Sequence, residues 1–365
     1  MNLKLNRSKL LAALQVAGGA TASRDLKPIL QSIKAVAKPG KIELSATDLE
    51  IGITLTLDAE HDQEEGCVII PPRVQQILKE LDDEDVELST SGDTISIKSA
   101  SSEFELATDD PSGFPDLPKG DASSWVALNA EFMREAIGRT SFAVASAESS
   151  KFGATTGLYL EILDGNTVLV GTDGRRLACW GTISPKSKSA KTGVIPVKAV
   201  SILARLLANS DEIKVSIGQN DAMFKTEHAT LYTRLVEGKF PEFRAILPKE
   251  SPNRTQLPVS QFVSAVRQAS VMTDAESCRV VFNFSGDKLT LHASGSTSGR
   301  SRVEIPVKID NPCEIAFDPK FILDGLKPLD QSSDVLLELN GSDRPAVFRQ
   351  SDRYLYVVVP LVNAN

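Results

Sequence analysis

Apolar and polar residues along the chain follow two different spacings, one typical of helices and one typical of strands. Three segments open with a polar residue and then carry apolar side chains three or four positions apart, at residues 6–14, 129–137 and 260–266. Residues at that spacing share one face of a helix, so each segment predicts an amphipathic helix. The three predicted helices begin 123 and 131 residues apart.

A second kind of helix recurs at the same interval. Segments 72–81, 196–206 and 319–326 each place a proline in or near the first turn, where its missing N–H removes no hydrogen bond. The three prolines stand 124 and 123 residues apart, and a short apolar run precedes each of them. The recurrence predicts a unit that contains two helices and is repeated along the chain.

Between the predicted helices the chain alternates polar and apolar residues, which indicates strands with one buried and one solvated face. This alternation is clearest in four segments, 41–47, 87–90, 94–98 and 288–292. Turn signals separate the strands at 91–93, 164–166 and 285–287. Two acidic runs, 60–65 and 82–85, are predicted to be loops on the outside of the protein.

A third marker sets the period of the repeat. The segment 113–118, with sequence GFPDLP, is similar to KFPEF at 239–243, and the two lie 126 residues apart. The repeat predicts three domains, at residues 1–120, 121–250 and 251–365. The expected fold class is α+β, in which each of three tandem domains packs two helices on mostly antiparallel sheets.

Composition narrows the class of protein further. The chain has 365 residues and a net charge of −8, and none of its apolar runs is long enough for a membrane span. Its start has no signal-peptide core, so we expect a cytoplasmic protein with no membrane contact. The four cysteines and three histidines are scattered, which argues against a disulfide framework, a metal site or a cofactor. The negative charge argues against a generic DNA-binding protein unless the cations are gathered on one face.

Four ordered motifs resemble those of one family, the bacterial DNA polymerase III beta subunits, or DnaN-type beta sliding clamps. The string TDGRRLA at 172–178 resembles the TDGHRLA motif of that family, and FPEF at 240–243, followed by Leu247 and Pro248, resembles its FP-[DE]-[YF]…LP segment. The ending YVVVPL at 356–361 resembles its Y-V-V-M-P-M tail, and LKPIL at 26–30 resembles L-x-P-I-L. The resemblance covers the whole chain.

The resemblance implies a non-catalytic DNA sliding clamp. Two chains would close head to tail into a homodimeric ring of six domains around duplex DNA, bound without regard to sequence. The helices would line the hole, and the sheets would form the outer wall. The expected partners are the DNA polymerase III alpha subunit, which the ring tethers as a processivity factor, the clamp loader and other proteins with a clamp-binding motif.

Lysine and arginine on helices facing the DNA would supply a diffuse, salt-sensitive attraction to phosphate. The predicted helices carry such cations at Lys9, Arg73, Lys79, Arg134, Arg139, Lys198, Arg205, Arg267, Lys320 and Lys327. Without the resemblance, these cations would be interpreted as ordinary solvated helix faces. The resemblance implies DNA contacts at Arg24, Arg73, Ser149, Lys151, Gly153 and Lys198.

The resemblance also implies a pocket between domains 2 and 3 that binds the peptide tails of partner proteins. The matching positions are Thr155, Thr172, Gly174, Arg175, Arg176, Leu177, Pro241, Ile246, Val357, Val358, Val359, Pro360 and Leu361. At this pocket the chain departs from the family pattern with Arg175 in place of His, Ala245 in place of a basic residue and Val359 in place of Met. From the residues alone, Asp173-Gly174 is an ordinary hairpin turn, and 357–359 is an ordinary buried strand.

Ring closure is assigned to an edge of the first domain. Residues 103–106 alternate as an edge strand does, and an exposed apolar edge needs a partner. By resemblance, Phe104 and Leu106 meet Val271 and Met272 of the other chain.

Two alternatives to a sliding clamp remain. One is an enzyme of tandem α+β domains that uses Asp173 and a histidine, and the other is a monomeric adaptor that binds proteins but no DNA.

Overall fold

The chain forms two compact units. The computed structural model describes residues 1–23, 27–61, 65–117, 124–146, 148, 153–183, 185, 187, 189–247, 251–274, 278–295 and 299–362. Unit 1 comprises Met1–Arg134 and Ile195–Leu235, and unit 2 comprises Glu135–Val194 and Val236–Asn365. Each unit therefore takes its residues from two separate stretches of the chain.

Seven α-helices lie within the described residues, and six of them occupy the segments that the apolar spacing predicts. They are α1 (Arg7–Ala17), α2 (Arg73–Glu80), α3 (Ala130–Thr140), α4 (Val197–Leu206), α5 (Phe243–Ile246), α6 (Val259–Ser270) and α7 (Pro319–Leu326). The predicted stripe of α6 is confirmed, because Phe262, Val263 and Val266 are all buried. The single turn of α5 was not predicted.

Twenty-five strands lie within the same described residues. The first twelve are β1 (Asn2–Asn6), β2 (Ile33–Lys38), β3 (Lys41–Thr47), β4 (Ile51–Asp58), β5 (Glu60–His61), β6 (Gly66–Ile70), β7 (Asp85–Ser91), β8 (Thr94–Lys98), β9 (Glu103–Ala107), β10 (Val126–Asn129), β11 (Gly157–Leu163) and β12 (Asn166–Thr172). The others are β13 (Arg176–Gly181), β14 (Lys191–Pro196), β15 (Glu212–Ile217), β16 (Asp221–Lys225), β17 (Ala229–Arg234), β18 (Asn253–Pro258), β19 (Val280–Ser285), β20 (Lys288–Gly295), β21 (Gly299–Pro306), β22 (Cys313–Phe317), β23 (Asp334–Leu339), β24 (Ala346–Gln350) and β25 (Tyr354–Val358).

Two sheets build unit 1. The larger has eight strands in the order β10-β15-β16-β17-β4-β3-β2-β6, and the smaller has five in the order β5-β1-β7-β8-β9. In the larger sheet β17 pairs antiparallel with β4, placing Tyr232 opposite Gly52. This pairing joins strands that lie about 180 residues apart in the chain, so the sheet is shared between two repeats. The alternation of polar and apolar residues predicts sheets but not this sharing of one sheet by two repeats.

Unit 2 repeats the arrangement of unit 1. Its eight-stranded sheet has the order β14-β11-β12-β13-β25-β24-β23-β18, and its four-stranded sheet has the order β21-β20-β19-β22. Here β25 pairs antiparallel with β13, placing Val357 opposite Leu177. When the order in unit 2 is taken from β18 to β14, it matches the order from β10 to β6 in unit 1, strand for strand. The β25–β13 pair then corresponds to the β17–β4 pair.

Three predicted hairpin turns are confirmed. Gly92, Gly165 and Gly286 all have positive φ, at 59°, 81° and 61°. Each lies between two antiparallel strands that begin or end next to it, as in β7–β8 and β19–β20. Glycine adopts this backbone conformation without the steric cost that a side chain would add.

Three details of the strand and loop prediction are wrong. The acidic run 60–65 is not entirely a loop, because Glu60 and His61 form β5 and pair with β1, and Asp85 opens β7 instead of ending a loop. Asp85 is exposed at the first position of β7, and its carboxylate lies 3.1 Å from the ammonium of Lys4 on the neighbouring strand. The alternation in β3 also fails, because Ser45 and Thr47 are buried where polar residues were expected to be solvated.

The reactivity of each cysteine thiol is expected to depend on how deeply the fold buries it. Cys179 on β13 is fully buried, and burial raises the pKa of its thiol to about 12, whereas Cys67 is exposed. The thiolate is the reactive form, so the raised pKa and the burial both protect Cys179 from modification. We expect a native titration with Ellman's reagent at pH 8 to modify Cys67 but not Cys179. Mass mapping identifies the modified residue, and rapid modification of Cys179 would contradict its placement.

Candidate functional site

The turn that joins β12 to β13 in unit 2 is held by its own side chains. The Thr172 hydroxyl donates to the Arg176 carbonyl at 2.7 Å and accepts from the Gly174 N–H at 3.1 Å. Asp173 Oδ1 accepts from the N–H groups of Arg175 and Arg176 at 2.9 and 3.0 Å. Gly174 has a φ of 85°, which favours glycine. The 172–176 turn is therefore a rigid element with satisfied backbone groups.

The Arg176 side chain fastens this turn to α7. Its Nε donates to Asp173 at 3.0 Å, its Nη1 to Asp324 at 2.6 Å and its Nη2 to the Phe142 carbonyl at 2.9 Å. Its guanidinium also lies 4.7 Å from the ring centroid of Phe321. With the side chain only 9% exposed, these contacts occupy the guanidinium. Arg176 therefore holds the 172–176 turn against α7 and the Phe142 carbonyl.

The end of the chain runs alongside the turn. After β25 leaves its pairing with β13, the Val359 N–H donates to the Arg175 carbonyl at 2.9 Å, and the Leu361 N–H donates to the Ala316 carbonyl at 2.7 Å. Val359 is 42% exposed, Pro360 is buried and Leu361 is partly buried. The strand end thus adds apolar side chains next to the turn.

An apolar floor connects these pieces. Leu177, Phe240, Phe243 and Val357 belong to one buried cluster, against which Leu247 also packs. The ring of Tyr159 stacks on that of Phe240 with centroids 4.8 Å apart. From this floor Ile246 projects into solvent with 51% of its surface exposed. A fixed floor with an exposed apolar rim can bind an extended peptide through apolar anchors.

A partly buried ion pair ties α5, whose own Phe243 belongs to this floor, to β11. Arg244 of α5 donates to Glu161 on β11, and Glu161 also accepts from the Tyr159 hydroxyl at 2.8 Å. Burial, together with the adjacent Glu161, raises the pKa of Tyr159 well above its ordinary value. Tyr159 therefore stays a neutral hydrogen-bond donor at any physiological pH. No sequence motif marks Glu161, Tyr159, Asp173 or Asp324 as supports of this site, because their partners are set by the fold.

The structure brings most of the predicted pocket residues together. Residues 172, 174–177 and 357–361 meet through the β13–β25 pairing, and Pro241 and Ile246 flank the aromatic side chains of the floor. Thr155 is buried in a separate 3-10 turn, Gly153–Thr156, where its carbonyl accepts from the Ala145 N–H at 3.0 Å.

The residues predicted to contact DNA differ in exposure and in the contacts that they already make within the protein. Arg73 is exposed at the first position of α2, and Gly153 is exposed at the start of its 3-10 turn. Lys198 is already engaged within unit 1, because its ammonium lies 2.5 Å from Asp48 Oδ2 and donates to the Thr21 carbonyl at 2.8 Å. Arg24, Ser149 and Lys151 lie outside the described residues.

Most of the other helix cations are exposed, and two of them donate to a backbone carbonyl. Arg134 donates to the Leu207 carbonyl at 2.6 Å, and Arg205 donates to the Gln15 carbonyl at 3.1 Å. Arg139 is partly buried, with its guanidinium 4.4 Å from the ring centroid of Trp180. The remaining exposed cations are Lys9, Lys79, Arg267, Lys320 and Lys327.

The residues assigned to ring closure lie at sheet edges. Within the described residues, β9 pairs only with β8, and β21 pairs only with β20. Phe104 on β9 is 36% exposed, and Val271, just after α6, is 70% exposed. The end of α6 lies beside β21, because the Ser301 hydroxyl donates to the Ala269 carbonyl at 2.8 Å.

Within the described ranges, no group of three or more His, Cys, Asp or Glu side chains is placed to hold a metal ion. No helix in the described part of the chain has the length and apolar character to cross a membrane.

Three family models match the chain in order. They describe the N-terminal, central and C-terminal domains of the DNA polymerase III beta subunit, and they match residues 1–118, 127–242 and 244–361. The curated beta sliding clamp of Chlamydia muridarum is 32% identical over 340 residues, covering 92% of this chain and 91% of that protein. That of Vibrio cholerae is 27% identical over 368 residues, covering 99% and 100%.

The architecture is also similar to that of solved structures. A DnaN sliding clamp (DNA polymerase III subunit beta) from Pseudomonas aeruginosa, solved bound to griselimycin, superposes with a TM-score of 0.91 at 26% identity. The superposition covers 100% of both chains.

Proposed function

Since this chain belongs to the DNA polymerase III beta subunit family and is a non-catalytic sliding clamp of three tandem domains, we propose that two copies close head to tail into a ring around duplex DNA. The ring would act in the cytoplasm as a processivity factor. It would be loaded by a clamp loader and would bind the polymerase III alpha subunit and other proteins with a clamp-binding motif.

One observation carries the proposal: each end of the chain contributes an incomplete sheet. The large sheet of unit 1 has two halves, β10-β15-β16-β17 and β4-β3-β2-β6. The first half is equivalent to β1-β7-β8-β9 in the smaller sheet of unit 1. The second half is equivalent to β21-β20-β19-β22 in unit 2. Joining β9 of one copy to β21 of a second copy would therefore complete a sheet of the kind that β17 and β4 already form. A head-to-tail contact of this type closes into a ring when its rotation permits.

The register of this joint follows from the repeat. Phe104 lies opposite Ile97, the fourth residue of β8, and Leu231 lies opposite Phe224, the fourth residue of β16. Phe104 and Leu231 therefore hold the same position in their repeats. Ser301 lies opposite Ala293, the sixth residue of β20, and Ile53 lies opposite Ala46, the sixth residue of β3, so these two also hold the same position. Leu231 pairs with Ile53, so Phe104 should pair with Ser301 of the second copy.

This register also matches charges across the joint. Glu103 would lie opposite Arg302 of the second copy, and Glu105 opposite Arg300. All four side chains are exposed, and by strand alternation they lie on the face opposite to that of Phe104 and Ser301. Opposite charges directly across a strand pair are stabilising.

The alternative of an enzyme built on Asp173 receives no support from the geometry. That carboxylate accepts two backbone N–H groups and the Arg176 guanidinium, so it acts as a turn-forming group. The family to which the chain belongs is non-catalytic.

DNA binding by the helix cations predicts an ordering of variants. Arg73→Ala should weaken DNA binding equally on all sequences and lower the salt slope by about 1 for each phosphate that the side chain no longer neutralises. Lys198→Ala should lower the slope less, because Asp48 already neutralises that ammonium. Fluorescence anisotropy with two unrelated duplexes from 50 to 200 mM salt measures both slopes. An equal or larger effect of Lys198→Ala would contradict this ordering.

The partner pocket predicts a loss of peptide binding. Pro360→Ala with Leu361→Ala removes apolar surface beside the 172–176 turn while leaving the backbone hydrogen bond of Leu361 available. We expect a fluorescein-labelled peptide copying the polymerase alpha tail to bind about 30-fold more weakly. Val362→Ala is the matched control, since Val362 is 65% exposed and follows the pocket residues. Unchanged binding by the double variant would refute the pocket assignment.

The ring itself is tested by topology. The protein is loaded on nicked circular DNA with a clamp loader and ATP, and the DNA is then linearised. We expect retention on the circle and loss from the linear form. Equal retention on both, or a monomeric native mass at micromolar concentration, would overturn the proposal in favour of a monomeric adaptor.

A further inference from the structure

The 172–176 turn of unit 2 has a counterpart in unit 1, at residues 47–51. There the Thr47 hydroxyl donates to a backbone carbonyl at 2.7 Å and accepts from a backbone N–H at 2.9 Å. Asp48 Oδ1 accepts from two further N–H groups, at 3.0 and 2.7 Å. Thr172 and Asp173 make the same bonds, so the two turns are one element in two repeats.

The second oxygen of the aspartate has a different partner in each turn. In unit 2, Asp173 Oδ2 accepts from Arg176, three residues further along the same turn, at 3.0 Å. In unit 1 the residue at that place is Ile51, which is buried and carries no charge. Asp48 Oδ2 instead lies 2.5 Å from the ammonium of Lys198. The unit 1 turn therefore takes its opposite charge from the helix α4.

The two ion pairs also differ in exposure. The Arg176 side chain is 9% exposed, and its guanidinium is further bonded to Asp324 and to a backbone carbonyl. The Lys198 side chain is 41% exposed, and its other bond is to the Thr21 carbonyl at 2.8 Å. An ammonium is a compact charge on a flexible stem, so a second anion can compete for it.

Lys198 differs in this respect from the other helix cations that are predicted to face DNA. Of those ten lysines and arginines, Lys198 is the only one that forms an ion pair with an acid within the described ranges of the chain. Arg134 and Arg205 donate to backbone carbonyls, which are neutral and leave the charge of the arginine in place. The carboxylate of Asp48, in contrast, cancels the charge of Lys198.

We propose that Asp48 is a positioning residue that weakens the hold of unit 1 on duplex DNA, because it competes with the DNA phosphates for Lys198. This inference rests on the proposed function, in which the ring encloses DNA. A phosphate that binds Lys198 has to displace the carboxylate, so this lysine contributes less than one full phosphate contact. Phosphate contacts fix a protein in register on the duplex, so a weaker contact here lets the ring move more easily along DNA.

The test removes the charge of Asp48 and keeps its turn. In Asp48→Asn the side-chain oxygen can still accept the two N–H groups. We expect the plot of log affinity against log salt to steepen by up to about 0.9, equally on two unrelated duplexes. The gain in affinity over the unsubstituted protein would then be up to about 3.5 times larger at 50 mM than at 200 mM salt. Fluorescence anisotropy measures the slopes, and an unchanged or shallower slope would overturn the proposal.

Two controls separate this role from a structural role and from net charge. In a Lys198→Ala background, Asp48→Asn should change the slope much less, because the carboxylate acts through that lysine. Glu227→Gln removes the same charge from a side chain that is 86% exposed, and it should also change the slope less. An effect of Asp48→Asn that is equal with and without Lys198, or that Glu227→Gln reproduces, would overturn the proposal.

A second variant covers failure of the first to fold. Asp48→Ser also removes the charge, and its hydroxyl can bond the turn more weakly. The same steeper slope is expected, and its absence in folded protein, checked by circular dichroism, would overturn the proposal.

Movement along DNA gives an independent readout. After loading on circular DNA and linearisation, the Asp48→Asn ring should leave the linear DNA more slowly than the unsubstituted ring. Equal or faster departure would contradict the role of Asp48. If the unsubstituted protein is not retained on the circle, the proposed ring itself fails. Retention on the circle with identical slopes would instead reject only the inference about Asp48.

Discussion

Glu103→Arg combined with Glu105→Arg is expected to convert the dimer into monomers. In the proposed register these positions face Arg302 and Arg300 of the second copy, so the substitutions place like charges opposite one another at both joints of the ring. Like-charge juxtaposition at an interface costs several kcal/mol, so we expect the dissociation constant to rise on the order of 100-fold or more. Sedimentation equilibrium measures it, and retention on circular DNA should be lost in parallel.

A complementary variant makes this prediction specific to the register. Arg300→Glu with Arg302→Glu should also give monomers, for the same reason. An equimolar mixture of the two variants should form heterodimers, because one joint then has its charges exchanged and the other is unchanged. Glu227→Arg, at a side chain that is 86% exposed and away from both edges, is the control and should remain dimeric. Failure of the mixture to dimerise would refute the register.

Arg176→Met is expected to destabilise unit 2 by about 3 kcal/mol, because breaking a buried ion pair leaves its carboxylate partners without their charge. Burial by itself would lower the pKa of Arg176, but the hydrogen bond to Asp324 and the nearby acids raise it above its ordinary value. The guanidinium is therefore charged at every pH at which the protein is folded. Urea denaturation followed by circular dichroism measures the loss in the free energy of unfolding.

The neighbouring arginine provides the matched control for this prediction. Arg175 is exposed, and its backbone supplies the contacts that hold the turn and Val359. Arg175→Met should therefore change the free energy of unfolding by less than 0.5 kcal/mol, as roughly expected for a surface substitution. Equal losses from the two variants would contradict the assignment of Arg176 as the support of the turn.

The sequence predicts those parts of the fold that depend on neighbouring residues. The helix α6 follows from the spacing of Phe262, Val263 and Val266, and the turns at Gly92 and Gly286 follow from the need for positive φ. These features are local, so their pattern is visible in a short window of sequence.

The remaining features depend on pairs that are distant in the chain. Arg176 binds Asp324 across 148 residues, and Lys198 binds Asp48 across 150 residues. No periodicity links such residues, so the sequence analysis assigned Arg176 to partner binding and Lys198 to DNA without these ion pairs. The pairing of β4 with β17 was missed for the same reason, although the alternating charges of β9 and β21 could have indicated matching edges.

Covalent closure tests the central claim, that two copies form a ring around DNA, most directly. Phe104→Cys and Ser301→Cys, in a Cys67→Ser background, place cysteines directly opposite at both joints, within the Cα separation that a disulfide needs. The variant is loaded on nicked circular DNA, oxidised and then denatured with detergent. We predict that the crosslinked dimer stays linked to the circle through denaturation and is released when the DNA is cut. Release from the intact circle despite complete crosslinking would show that the dimer does not enclose DNA.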